Sequence, residues 1–116
     1  MRWTAWITLG AALIVGAGEA RAQSAETERR VARDLGNEGI ARYESGDYPG
    51  AVDRLTRAYA VIRAPTLGLW LARSQIRTGQ LVEASEHLEE VIRMEVGPGD
   101  PPVFRESIDQ AREEHA

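Results

Sequence analysis

The chain has 116 residues, a formal charge of −4, 43% hydrophobic and only 6% aromatic residues. That length holds one domain, and abundant Ala, Glu, Arg and Leu favour helix over sheet. There is no cysteine, which excludes disulfides, thiolate metal sites, cysteine nucleophiles and a lipidated cysteine; all the basic residues are arginine, and an acidic balance with no clustered basic stripe argues against nucleic acid or an anionic membrane as partner.

The N-terminal stretch has the organisation of an export signal. Arg2 is a minimal positive start, Trp3 to Ala17 carries no charge, and Glu19 restores it. Ala20-Arg21-Ala22 is an A-x-A cleavage site, so residues 1–22 are expected to be a signal peptide and Gln23 the first residue of a domain over 23–116. The apolar run is shorter than the roughly 20 residues of a bilayer span. The expectation is export to the periplasm, with no stable membrane insertion after cleavage. The alternatives are release from the cell or an uncleaved N-terminal anchor.

The next segments echo each other at a spacing of 33 residues: Gly46 with Gly79, Tyr48 with Leu81, Ala51 with Ala84, Leu55 with Leu88 and Ala58 with Val91. Each glycine sits where a left-handed residue would end a helix. Asp47 suits the N-cap of the following helix and Pro49 its first turn, whereas Gln80 is a poorer cap. Val31, Leu35 and Tyr43 form the stripe expected on a first helix, with Gly39 a point of close contact. Val52, Leu55, Tyr59 and Ile62 form that of the second. Leu67, Trp70 and Leu71 serve a third, and Leu81, Ala84, Leu88 and Val91 a fourth. These are helical intervals, not strand alternation.

Tyr43-x-x-Gly46-Asp47-Tyr48-x-x-Ala51-x-x-x-Leu55-x-x-Ala58 resembles a tetratricopeptide repeat (TPR), and Gly79-x-Leu81-x-x-Ala84-x-x-x-Leu88 resembles it less closely. The period departs from the family's usual value of about 34. The repeat-end proline is replaced by Arg63 and Val96, and the first-helix Leu35 is matched by Gly68. The resemblance implies an all-α, TPR-like α-α superhelix of two antiparallel helix pairs, over about residues 32–64 and 65–97.

Val96 to Pro102 is a turn cluster. Asp100 is the expected N-cap and Pro101 the first residue of a C-terminal capping helix over about 101–115. Its buried stripe would be Phe104, Ile108 and Ala111. Its solvated face would be Arg105, Glu106, Asp109, Arg112, Glu113 and Glu114. Two repeats and a cap are near the minimum for a stable array.

No catalytic, cofactor-binding or metal-ligating residue is expected. His87 lies among Glu83, Glu86, Glu89 and Glu90, but no second His or Cys cluster completes a ligand set, and a solvated acidic face is the reading. No Gly-x-Ser-x-Gly occurs, and Gly97-Pro98-Gly99 lacks the Lys and Ser/Thr of a phosphate loop.

By analogy with TPR folds, first-helix residues would line a concave groove. Here these are Arg33, Asn37, Ile40, Tyr43, Leu69, Arg73, Ile76 and Arg77. Arg73 and Arg77 are i, i+4 and share a helical face. The competing reading pairs these arginines with Glu38, Glu44 or water. The implied function is a non-enzymatic scaffold of the bacterial envelope, binding a protein or peptide through the groove. A self-associating structural protein, as a homodimer, and a regulatory fragment of a larger TPR protein are the alternatives.

Overall fold

The computed structural model describes residues 13–116. Two glycines organise it. Gly46 and Gly79 have φ of +86° and +80°, where a side chain would be strained. Both end a helix with the same pair of bonds. The Gly46 N–H donates to the Tyr43 carbonyl at 3.0 Å and the Asp47 N–H to Arg42 at 2.9 Å. The Gly79 N–H donates to Ile76 at 3.2 Å and the Gln80 N–H to Gln75 at 2.8 Å. This Schellman closure satisfies carbonyls that a helix end would otherwise leave bare.

The turns separate five helices: α1 (Leu13–Glu44), α2 (Tyr48–Val61), α3 (Pro65–Arg77), α4 (Leu81–Ile92) and α5 (Pro102–His115). The fold is all-α: α1 pairs with α2, α3 with α4, and α5 closes against α3 and α4. This is the expected arrangement of two helix pairs and a capping helix, compatible with a TPR-like fold. No strand occurs among the described residues.

Asp47 caps α2 as expected. Its Oδ1 accepts the Gly50 N–H at 3.0 Å, and its Oδ2 accepts Arg42 at 2.8 Å. The Arg42 bond, followed by the Gly50 bond, holds the Asp47 carboxyl below its ordinary pKa. Gln80 makes no side-chain cap.

The echoed pairs Ala51 and Ala84, Leu55 and Leu88, and Ala58 and Val91 are buried alike, as are Gly39 and Ala72 at the same spacing, whereas Tyr48 is half-buried and Leu81 exposed. Most of the buried ones belong to two core clusters. Ala51, Leu55, Tyr59 and Leu71 form one; Leu69, Ala72, Ala84, Leu88, Val91, Ile108 and Ala111 form the other. Met94 packs against both.

Three expectations need correction. Val31 is 50% exposed, and the stripe that α1 buries is Ala32, Gly36 and Gly39. Small residues win there because neighbouring helices come so close: a Cβ at Gly39 would lie 2.6 Å from Leu55 Cγ. Leu81 is 62% exposed, since it opens α4 where no other helix covers it. Finally, α5 starts at Pro102 with Pro101 at the cap. Asp100 makes no cap bond to the helix. Its Oδ2 instead accepts the Gly97 N–H at 2.8 Å.

Much of the expected signal peptide lies outside the described residues. From Leu13 onward α1 is helical through Ala20-Arg21-Ala22, and residues 16–31 are exposed on every side. No helix among the described residues is long and apolar enough to cross a membrane.

Candidate functional site

The last turn of α1, the start of α2 and one face of α3 bring three aromatic rings together. Tyr43 stands edge-on to Tyr48 and to Trp70, with ring centroids 5.2 Å apart in each pair. An arginine closes each end of this ladder. The Arg73 guanidinium carbon lies 4.8 Å from the Trp70 ring centre, and that of Arg77 lies 5.1 Å from Tyr48. Each such contact is worth about 0.5–1 kcal/mol at an exposed site, and edge-on ring pairs add a similar amount.

The two arginines differ in what they have left to offer. Arg73 Nε donates to Glu114 at 2.7 Å, and its Nη2 donates to Gln110 at 2.9 Å. Both acceptors lie on α5. Arg77 forms no ion pair among the described residues. The Tyr43 side chain, then that of Tyr48, pushes its pKa further above the ordinary guanidinium value. Arg77 is therefore a cation held in place by rings, with its charge unneutralised.

Tyr43, Arg73, Ile76 and Arg77 line one cleft of about 290 Å³, together with Glu114. The structure thus gathers half of the expected groove residues. Leu69 is not among them: it is 1% exposed and packs in the core with Leu88 and Ile108. One helical turn before Arg73, the position facing the cleft side is Trp70, because the crossing of α3 over α4 turns Leu69 inward. Ile40 is half-buried against the Leu55 cluster. Asn37 is exposed, and Arg33 reaches along its own helix to Glu26 at 3.0 Å. Neither of these is a residue of the cleft.

Glu114 was expected on the solvated face of α5. It faces Arg73 because α5 docks against α3 as well as α4.

His87 also departs from the solvated reading. It is half-buried, with Nδ1 2.8 Å from Gln75 Oε1 and its ring edge-on to Tyr59 at 5.6 Å. The Tyr59 hydroxyl donates to Glu90 at 2.9 Å, and Arg63 donates to the same oxygen at 3.1 Å. Burial first, and then the Glu90 carboxylate, pushes the Tyr59 phenol up to about 12. Unfolded, it would ionise near 10. The neutral phenol therefore supports the fold fully below pH 10, and that support falls away as pH rises through about 12. Urea midpoints measured across this range should decline, and Tyr59→Phe should flatten the decline. An equal slope in the variant would assign it to another group.

The chain matches no known protein family, no characterised protein and no solved structure.

Proposed function

We propose that the chain is an exported, non-enzymatic scaffold module of the bacterial envelope, with TPR-like repeats, that holds a protein or peptide partner in the cleft at Tyr43, Ile76 and Arg77. The observation that carries this reading is the unneutralised Arg77 guanidinium, fixed over an aromatic ring beside an exposed apolar residue. Ile76 is 41% exposed, so the cleft joins apolar contact to a fork that can donate two hydrogen bonds to one acidic or carbonyl group. The repeated Schellman turns and the matched burial of echoed residues support the repeat reading. The uncharged run and Ala20-Arg21-Ala22 support export.

Crosslinking of the tagged chain in its native envelope tests the site. A charge-assisted hydrogen bond is worth about 1.5–3 kcal/mol, so Arg77→Glu should weaken the partner's binding by tenfold or more. Retention of every crosslinked partner by Arg77→Glu would remove the cleft from the proposal. Export has its own readout: terminal sequencing of envelope protein should begin at Gln23.

A further inference from the structure

The last turn of α5 stands between two clefts. One is the Tyr43 and Arg77 cleft. The other, of about 150 Å³, is floored by Leu81, Ala84 and Leu88 and edged by His115. Ile76 and Glu114 line both. Glu114 is thus a partition as well as the partner of Arg73.

This turn is held differently from the rest of its helix. Ser107, Ile108 and Ala111 are buried and anchor α5 in the core, whereas residues 112–116 are all exposed. Beyond Ala111 the turn is tied to the body by polar contacts at its two sides. Glu114 meets Arg73 of α3 at 2.7 Å. His115 Nε2 lies 3.3 Å from Ser85 Oγ and 3.4 Å from Glu89 Oε1, both on α4. Surface pairs of this kind hold weakly and are screened by salt. The final turn of a helix is also where opening costs least. The turn can therefore lift away while the apolar anchor of α5 stays seated.

We propose that residues 112–116 form a displaceable lid over the groove, latched by Arg73–Glu114 on one side and by His115 with Ser85 and Glu89 on the other, whose opening joins the two clefts into one continuous site. This rests on the groove reading and adds its regulation. Opening releases Arg73 from Glu114 beside Ile76, leaving its bond to Gln110, and uncovers Ala84 and Leu88 beside the already exposed Leu81. The joined site would accept an apolar group carrying an anionic one. Its affinity would depend on how readily the latch releases.

The test uses anilinonaphthalene sulfonate, an apolar aromatic dye with one anionic group, on the full chain. Glu114→Ala combined with His115→Ala should raise dye fluorescence about threefold or more while thermal unfolding stays cooperative. Adding Ile76→Asp should abolish the rise. No rise, or a rise that survives Ile76→Asp, overturns the lid. A second measurement needs no substitution. In the unaltered chain, raising salt should speed hydrogen exchange of amides 113–116 about threefold to fivefold and leave those of 107–111 unchanged. Exchange that ignores salt, or that changes equally along α5, also overturns it. Neither readout involves a natural partner. Failure of the lid therefore leaves the Arg77→Glu result standing, and retention of partners by Arg77→Glu does not alter the dye response.

Discussion

Leu55→Ala is expected to lower the thermal midpoint, followed by helical circular dichroism, by about 10 °C or more. Leu55 has no exposed surface, and it packs with Ala51, Tyr59 and Leu71 where α1, α2 and α3 meet. Truncating a leucine in such a place costs about 2–5 kcal/mol, the spread depending on how far the site collapses. Collapse is limited here. Gly39 already lies against Leu55, so the α1 backbone has no side chain to fold into the gap. A domain of this size has roughly 5–15 kcal/mol in all, so the variant would lose a large share. A shift smaller than about 3 °C would mean that the helices do not close on Leu55.

The second large effect is at Gly68, where two terms oppose. Alanine in a helix interior is favoured over glycine by about 0.5–1 kcal/mol, so Gly68→Ala would stabilise a free helix. In the fold, the added Cβ would lie 2.5 Å from Val91 Cγ2 and 3.2 Å from the Tyr59 ring. Neither neighbour has room to move. Val91 is fully buried, and Tyr59 is pinned by Glu90 and flanked by Arg63 and His87. Forcing a methyl into a closed core costs about 1–3 kcal/mol, so the clash wins and stability falls. Gly36→Ala is the control. Its Cβ would meet the Leu67 side-chain end at 2.7 Å, but Leu67 is half-buried and can swing aside. Urea unfolding should rank Gly36→Ala well above Gly68→Ala. The reverse order would show that α3 does not cross α2 and α4 at Gly68.

Gly68 also shows which parts of the fold were legible in the sequence. The ends at Gly46, Asp47 and Gly79 were, because a left-handed glycine and a capping Asp are local chemistry, although Asp100, read the same way, does not cap α5. The echo at 33 residues was legible too, since Ala51 with Ala84 and Leu55 with Leu88 repeat a packing requirement. Gly68 read as a departure from a repeat pattern, where it is a contact point forced by Val91 and Tyr59. The stripe on α1 was placed one residue off, at Val31, because side-chain hydrophobicity does not report that small residues are what a close helix crossing selects. The cleft followed the same division. Arg73, Ile76 and Arg77 share one face of α3, which spacing aligns, while Tyr43 on α1 was placed with them only by the TPR analogy. Glu114 belongs to another helix, and only the docking of α5 brings it to Arg73. Leu69 was lost to the core through the rotation of α3, which spacing along that helix cannot specify.

The placement of α3 governs how the molecule comes apart. Its Leu71 belongs to one apolar cluster and its Leu69 and Ala72 to the other, so one helix is shared between both halves. Long repeat arrays can peel from an end, because each unit touches only its neighbours. Here, detaching α1 and α2 would strip the cover from Leu71, and detaching α4 and α5 would strip it from Leu69 and Ala72. Neither half has a partly melted form that keeps its apolar surface dry. Loss of structure is therefore expected to be all-or-none, with denaturation followed at Trp70 and by backbone circular dichroism giving one coincident midpoint.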